Sequence, residues 1–197
     1  MIRFFLFTLT ALTTLAAAAF AGNWDLDQAH SKVGFTVTHM AISTVEGSFG
    51  KYTATVNYDE ANPASLTFDA TIEAASVNTA NEKRDEHLRG ADFFDVANAP
   101  NITFKSTKTE VVSPGKLKVT GDLTMRGVTK SIVLDLVGLD KVIDTPWGTR
   151  KAAVTDTGEI NRQDFGMKFN SALPGGDLIV SDKVKLHLIV ELDQKKE

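Results

Sequence analysis

The sequence predicts an all-β protein, either an antiparallel sandwich or a closed barrel, with one short helix near residues 80–89. Segments in which apolar and polar residues alternate recur along the chain, as is typical of strands with one buried and one wet face. Turn residues separate these segments at short intervals, which favours antiparallel pairing of neighbours. One stretch, residues 81–104, breaks the alternation and is crowded with charge.

Residues 1–21 are predicted to be a cleaved signal peptide, which leaves residues 22–197 as one folded domain. Arg3 forms a minimal positive region, Phe4–Leu15 is an apolar run, and Ala19–Ala21 fits an A-x-A cleavage site. The apolar run is short for a spanning helix, which needs about 20 apolar residues. We therefore expect a periplasmic protein with no transmembrane segment in its mature form. The chain has no cysteine, so no disulfide framework is available to it.

Strands are predicted along the whole domain. An edge strand over residues 23–28 precedes a second strand over 29–40, and Gly47 and Gly50 interrupt a strand region over 45–58. The strand predicted over 132–139 is apolar on both sides, which indicates that both of its faces are covered. The patterns do not establish which face of each strand points inward. The remaining predicted strands cover residues 66–74, 102–112, 117–125, 151–160 and 184–192.

The stretch that breaks the alternation is predicted to be a lid or rim. Thr79, with Glu82 three residues later, fits a capping box at the start of a helix, and Gly90 is a natural end for it. Leu88 is the one sizeable apolar side chain of this helix. The adjacent Phe93-Phe94 pair then lies between two acids and predicts an aromatic plug.

Composition and motifs argue against several function classes. The formal net charge is −4 and no basic run precedes the C-terminal lysines, so we expect no nucleic-acid binding. The four histidines show no zinc-ligand spacing. No G-x-S-x-G, H-E-x-x-H or phosphate-loop motif occurs. We therefore expect no catalytic residues, no metal and no cofactor.

Several ordered segments of the domain carry a family resemblance. They are His30–His39, Glu46–Phe49, Ser76–Thr79, Arg84–Arg89, Asp92–Phe94, Ala99–Phe104, Gly121–Lys130, Asn161–Gly166 and Asp182–Leu192. Together they resemble the YceI-like family of periplasmic proteins, also called polyisoprenoid-binding proteins. The resemblance covers nearly all of the domain and rests on the set of motifs, since no single motif is specific.

The resemblance implies a lipocalin-like antiparallel β-barrel of about eight strands with one helix. It also implies an apolar tunnel that holds an isoprenoid, such as a prenyl quinone or polyprenyl phosphate, or a fatty-acid-like lipid. The resemblance further implies that the protein takes part in isoprenoid storage, transport or a stress response, and that it forms a homodimer. Burial of an apolar tail contributes about 25 cal/mol per Å² to binding. The alternative is an exported, stress-related interaction module whose barrel is filled by its own side chains and binds no ligand.

Two arginines are candidates for contact with a phosphate or quinone oxygen, Arg84 on the helix and Arg162 after the strand of small side chains. The alternative is an ion pair for each, Arg84 with Asp85 or Asp92 and Arg162 with Asp164. The apolar candidates for ligand contact are side chains that could equally serve only to pack the core. The full set of predicted ligand-binding residues is Phe35, Val37, Phe49, Phe68, Ile72, Arg84, Leu88, Phe93, Phe94, Phe104, Leu123, Leu134, Arg162, Phe165, Leu186 and Leu188.

Overall fold

The structure, a computed structural model, describes residues 22–176 and 178–195. The predicted signal peptide, residues 1–21, lies outside the described residues. One α-helix, α1 (Glu82–Arg89), is set among strands in the described part of the chain. The strands are β1 (Gly22–His39), β2 (Ser43–Phe49), β3 (Tyr52–Tyr58), β4 (Thr67–Glu73), β5 (Val77–Asn78), β6 (Asn101–Ser113), β7 (Lys116–Met125), β8 (Val128–Gly138), β9 (Ile143–Asp144), β10 (Thr149–Asp156), β11 (Glu159–Asn161) and β12 (Val180–Lys195).

Eight of the strands close into an antiparallel barrel. Their order around the barrel is β1, β12, β10, β8, β7, β6, β4 and β3. The seam between β3 and β1 is short, with Gly22 opposite Tyr58 and Trp24 opposite Val56. The predicted antiparallel barrel of about eight strands with one short helix is confirmed, and the sandwich alternative is wrong because β1 pairs with strands on both sides.

The first strand is longer than predicted. The expected edge strand and its successor form one continuous strand, β1, whose pairing with β12 shifts register between Asp27 and Lys32. Hydrogen bonds that involve side chains replace the regular strand pairing at this bulge. The Tyr52 hydroxyl donates to the Ser31 carbonyl at 2.7 Å, and Glu191 N donates to Ser31 Oγ at 3.0 Å. A bulge changes the facing of side chains without ending the strand, which is why the alternation in the sequence suggested two elements.

The predicted strand region over residues 45–58 is two strands. β2 pairs with the second half of β1, whereas β3 pairs with the first three residues of β1 and then with β4. β2 also pairs with β5, β11 lies beside β12, and β9 lies beside β10. The chain therefore changes direction between Phe49 and Tyr52, at the end of the barrel where α1 lies.

The apolar face of each alternating strand is the inner face of the barrel. On β7, Leu117, Val119, Gly121, Leu123 and Met125 are buried, whereas the residues that alternate with them are more exposed. The prediction that the strand over 132–139 is covered on both faces is wrong. Its outward Val133 and Val137 are 45% and 51% exposed, because no second layer of the described chain packs on that wall.

Two glycines on the inner wall leave room for aromatic rings. Gly47 lies opposite Phe35, and a Cβ atom there would lie 2.3 Å from the Phe35 ring. A Cβ atom on Gly121 would lie 2.2 Å from the Phe104 ring. Gly47 keeps regular register in its strand, so it serves close approach of a ring and not a bulge.

The end of the barrel away from α1 is filled by its own side chains. The Trp24 indole N–H donates to the Tyr58 carbonyl at 3.1 Å, and the Tyr58 hydroxyl donates to the Leu139 carbonyl at 2.6 Å. All three residues are buried. Because each polar atom of this aromatic pair has a partner, the pair closes this end without an unsatisfied buried group.

Candidate functional site

The barrel contains an apolar cavity of about 250 Å³. One water needs only about 10–15 Å³ on a comparable scale, so the space is far larger than a packing defect. Inward side chains from all eight barrel strands line it, among them Ala54 and Ala70, which face each other across β3 and β4. The barrel is therefore not filled by its own side chains along its whole length, which argues against the self-filled alternative.

All predicted ligand-binding residues except Arg84 and Phe165 line this cavity. The aromatic members form contacts along the wall: Phe94 lies edge-on to Phe49 with ring centroids 5.5 Å apart, and Phe49 lies 5.8 Å from Phe35. Their role in binding a ligand stays a prediction. The predicted residues in the lining are Phe35, Val37, Phe49, Phe68, Ile72, Leu88, Phe93, Phe94, Phe104, Leu123, Leu134, Arg162, Leu186 and Leu188.

Arg84 fixes the start of α1 and does not reach the cavity. Its Nε donates to Thr79 Oγ1 and its Nη2 to the Thr79 carbonyl, both at 2.7 Å. The Thr79 amide and hydroxyl both donate to buried Asp85 Oδ1, at 2.8 and 2.5 Å. The hydroxyl of Thr79 is therefore engaged by Arg84 and Asp85 and does not cap the helix. Asn81 is the N-cap, and its side chain accepts a hydrogen bond from Arg84 N at 3.1 Å. The capping box predicted at Thr79 is wrong, whereas the predicted helix end at Gly90 is confirmed.

Arg162 and Phe165 lie in a short 3₁₀ turn that follows β11. Phe165 is buried in the core and belongs to the packing of the barrel. The Arg162 guanidinium donates to the carbonyls of Ser181 and Met167 at 3.0 and 2.6 Å and pairs with Asp182 at 2.9 Å. The predicted ion pair with Asp164 is therefore wrong. Burial lowers the pKa of Arg162, and its donors are largely committed to the protein.

We call residues 82–98, α1 and the loop after it, the cap. Leu88, Phe93 and Phe94 of the cap line the cavity, so the cap forms its wall at one end of the barrel. The Phe93 ring also packs on His87 and on Phe169, with ring centroids 5.0 and 5.1 Å apart. The structure thus places the predicted lid helix and aromatic plug side by side over the cavity.

Two arginines tie the cap to the barrel. Arg89 donates to the carbonyls of Ala75 and Val77 at 2.8 and 3.2 Å. Arg126, in the turn between β7 and β8, donates through Nη1 to the Ala91 carbonyl at 2.6 Å and also to the Phe93 carbonyl. The sequence marks Arg126 only as a turn residue, because its partners lie more than 30 positions away in the chain.

One carboxyl group belongs to the cavity wall. Asp156 is 2% exposed and lies on the same face of β10 as Ala152 and Val154. Its Oδ2 accepts from Gly158 N at 3.0 Å, and its Oδ1 has no hydrogen-bond partner among the described residues. Burial raises the pKa of Asp156, although the backbone N–H groups of Gly158, Asp135 and Thr157 favour the charged form. The sequence offered a weak signal, a lone acid on the face of small apolar residues.

The family of the protein follows from comparison with known sequences. The model of the YceI-like domain matches residues 24–192. The chain belongs to the YceI-like family. Protein YceI of Escherichia coli O157:H7 is 38% identical over 181 residues, which cover 88% of this chain and 92% of that protein. The resemblance drawn from the sequence motifs is thereby confirmed.

Solved structures share this YceI-like fold. The crystal structure of the Campylobacter jejuni YCEI protein is 38% identical, with a TM-score of 0.70 over 87% of this chain and 97% of that one. A polyisoprenoid binding domain from Saccharophagus degradans has a TM-score of 0.61 over 87% of this chain and 98% of that one. At 16% identity, the likeness to that domain is one of fold.

The outer wall of this YceI-like barrel carries a charged cluster centred on Lys151. Its ammonium lies 2.7 Å from Asp27, 2.9 Å from Asp193 and 3.5 Å from Glu191, and His30 Nδ1 lies 2.8 Å from Asp27. Asp27, His30 and Glu191 are close enough together to hold a metal ion, but the Lys151 ammonium already supplies the positive charge there. Hydrogen bonds from Lys151 and His30 lower the pKa of Asp27, and those to Asp27 and Asp193 raise the pKa of Lys151.

Among residues 22–176 and 178–195, no helix has the length and apolar character needed to cross a membrane.

Proposed function

We propose that this protein binds an isoprenoid or fatty-acid-like lipid in its barrel, as a carrier or store without catalysis. The observation that carries the proposal is the apolar cavity of about 250 Å³ under the cap. Small-molecule sites are typically apolar clefts with a few placed polar groups, and this cavity has that character. Burial of a flexible apolar tail in such a site is driven by the hydrophobic effect.

The shape of the lining supports a long, flexible ligand. The rings of Phe94, Phe49 and Phe35 follow one another from the cap into the barrel. Phe68 and Phe104 stack at 5.0 Å elsewhere on the wall. A series of flat apolar surfaces suits a branched hydrocarbon chain, and the same barrel fold occurs in a domain described as polyisoprenoid binding.

The proposal includes export to the periplasm. The predicted signal peptide at residues 1–21 supports this location. The homodimer and the stress response implied by the family resemblance stay predictions. We propose binding and not an enzyme because the arginine in the lining is engaged by Ser181, Met167 and Asp182, and the wall is otherwise almost wholly apolar.

The experiment is native mass spectrometry of the protein from the exported fraction, followed by extraction and mass analysis of the released compound. We expect a stoichiometric adduct of lipid mass. Leu188→Lys, on the inner face of β12, should abolish retention, whereas the matched change Ile189→Lys, at a neighbour that is 50% exposed, should preserve it.

A second variant guards against failure of the charged variant to fold. Ala70→Phe fills part of the cavity with an apolar ring and should reduce retention while the thermal unfolding stays cooperative. A clean apo mass for the unaltered protein, repeated after incubation with prenyl quinones, polyprenyl phosphates and fatty acids, would overturn the proposal. Such a result would favour the interaction module.

A further inference from the structure

Two turns beside the cap carry apolar side chains into solvent. The first joins β1 to β2, and its Met40 and Ile42 are 38% and 86% exposed. The second leads into β12, and its Leu178 is 38% exposed. The Met40 amide donates to the Ile179 carbonyl at 2.9 Å, so the two turns lie side by side. We call them the paired tips, residues 40–42, 172–176 and 178.

The paired tips are continuous with the cavity at the end of the barrel that the cap covers. Val37, three residues before the first tip, and Val180, two residues after the second, both line the cavity. Phe169, shortly before the second tip, packs on Phe93 of the cap with ring centroids 5.1 Å apart. Apolar side chains therefore extend from the cavity wall to the outer ends of the tips.

The segments that form the paired tips carry no charge. In a chain that is 23% charged, no Asp, Glu, Lys or Arg occurs from Val33 to Val45 or from Phe169 to Gly176. The exposed turn at the other end of the barrel differs, because its Trp147 lies between Asp144 and Arg150. An exposed apolar patch of this kind is typical of a surface that meets a protein or a membrane.

The backbone of the first tip is strained. Met40 and Ala41 have φ angles of 51° and 60°, and the Ile42 amide donates to the His39 carbonyl at 3.2 Å. A hairpin turn with positive φ at both central residues strongly favours Asn-Gly, because a side chain with a Cβ atom is disfavoured there. The sequence keeps two apolar residues at these positions despite that cost, which points to a role for them in contact with a partner.

We propose that the paired tips dock the protein on the surface of a phospholipid membrane, with Met40, Ile42 and Leu178 inserted among the head groups. A standard protein interface buries about 800 Å² per partner, which three side chains on two narrow turns do not supply. Membrane binding scales with the apolar area inserted and needs no flat surface. The inference goes beyond the proposed lipid-binding function and does not require it.

Docking in this orientation turns the capped end of the cavity towards the bilayer. Exposed Lys168, one residue before Phe169, then lies beside the second tip, where it can contact lipid phosphates. A lipid that moves between the membrane and the cavity would cross little water, since the tips and the cavity wall are continuous.

The test measures flotation of the exported protein with vesicles of phosphatidylethanolamine containing one quarter phosphatidylglycerol. We expect the parent to bind, and Ile42→Asn to weaken binding by about tenfold or more, in line with the burial of one aliphatic side chain. Ile189→Asn is the matched control, because it makes the same change at a half-exposed position on the outer wall and should bind as the parent does.

A double variant separates docking from folding. Met40→Asn with Ala41→Gly builds the favoured turn, so it should raise the melting temperature while it weakens vesicle binding by roughly threefold or more. The smaller loss follows from the partial exposure of Met40. Weaker binding by a more stable protein is an outcome that a merely structural role of the tip does not produce.

Fluorescence quenching tests the orientation. In vesicles with brominated acyl chains, Ile42→Trp should gain a quenched emission component, whereas the parent should not be quenched, since Trp24 is buried and Trp147 lies at the opposite end. Quenching of the parent, or equal binding by Ile42→Asn and Ile189→Asn, would overturn docking through the paired tips. Absence of vesicle binding by a parent that retains a lipid-sized adduct would also overturn it and leave the proposed function in place.

Discussion

Replacement of Arg126 by Met should open the cap. The side chain of Arg126 joins the β7–β8 turn to the loop of the cap through two carbonyls, those of Ala91 and Phe93. Met keeps an apolar stem of similar length but removes both donors. The cap would then keep its anchor through Arg89 and its aromatic packing, so we expect looser closure and an otherwise folded barrel.

The size of the effect follows from the two hydrogen bonds. A hydrogen bond from a charged group contributes roughly 1.5–3 kcal/mol when buried. The bond to Ala91 is exposed and the one to Phe93 is partly buried, so the pair together should favour closure by about 2–3 kcal/mol. Since 1.4 kcal/mol is a factor of ten, the population of open cap should rise about 30- to 150-fold.

Hydrogen–deuterium exchange measures this opening without a ligand. Phe94 and Val96 lie in the loop that Arg126 holds, and their amides donate to the carbonyls of Leu88 and Arg89 in α1, so they are protected while this loop is packed on the helix. We expect exchange at these amides to accelerate by the same factor in the Arg126→Met variant. Lys130→Met, at an exposed position on the neighbouring strand, is the matched control. Equal exchange in the two variants would refute the assignment of Arg126 as an anchor of the cap.

Three further predictions concern stability. Gly121→Ala should lower the free energy of unfolding by about 1–3 kcal/mol, because its Cβ would lie 2.6 Å from a backbone carbonyl oxygen, whereas Gly175→Ala, with no atom within 4 Å, should unfold as the parent does. Lys151→Met should lower the melting temperature at neutral pH. Because Lys151 lowers the pKa of Asp27, this stabilisation is fully present above the ordinary Asp pKa of about 4 and is lost as the pH falls from that value towards the lowered pKa. The difference in melting temperature should therefore stay constant from about pH 7 to about pH 5 and narrow below about pH 4, and a difference that persists in stronger acid would contradict the reasoning. Asp156→Asn should raise the melting temperature of the lipid-free protein. Burial raises the pKa of Asp156, so its ionisation destabilises the fold above that raised pKa, and the gain should vanish on acidification; a gain that persists in acid would contradict this account.

The sequence predicts the barrel well where one face of a strand is apolar throughout. Leu117, Val119, Leu123 and Met125 recur at every second position apart from Gly121, and the inner wall of β7 follows directly from them. Alternation states which residues share a face, but it does not state which face is inside until the strands close. That assignment required the pairing of β1 with both β3 and β12.

The errors in the strands arise where contacts distant in sequence override the local pattern. The bulge in β1 is held by Tyr52 and Glu191, which lie far from Ser31 in the chain. The outer face of β8 is apolar, yet the fold brings nothing to cover Val133 or Val137. The composition of a strand alone does not show whether another layer of the protein covers its outer face.

The polar residues of the candidate site were the hardest to place. The sequence assigned Arg84 and Arg162 either to a ligand or to an ion pair with a nearby acid, because their actual partners, the Thr79 carbonyl and the carbonyls of Ser181 and Met167, carry no side-chain signal. Asp156 looked ordinary because one buried acid on a short strand is not a motif. An arginine satisfied by backbone carbonyls and a carboxyl with one free oxygen are properties of three-dimensional position.

The energetic cost of the cavity argues for an occupant. An empty apolar space of about 250 Å³ would destabilise the fold by about 6 kcal/mol at roughly 24 cal/mol per Å³. That cost is comparable to the whole net stability of a typical domain, about 5–15 kcal/mol. The sequence nevertheless keeps small side chains at Ala54 and Ala70, where larger apolar ones would fill the space. A lipid that fills the cavity restores the lost contacts, so saturation with it should raise the melting temperature strongly, and this coupling links the sequence of the inner wall to the proposed function.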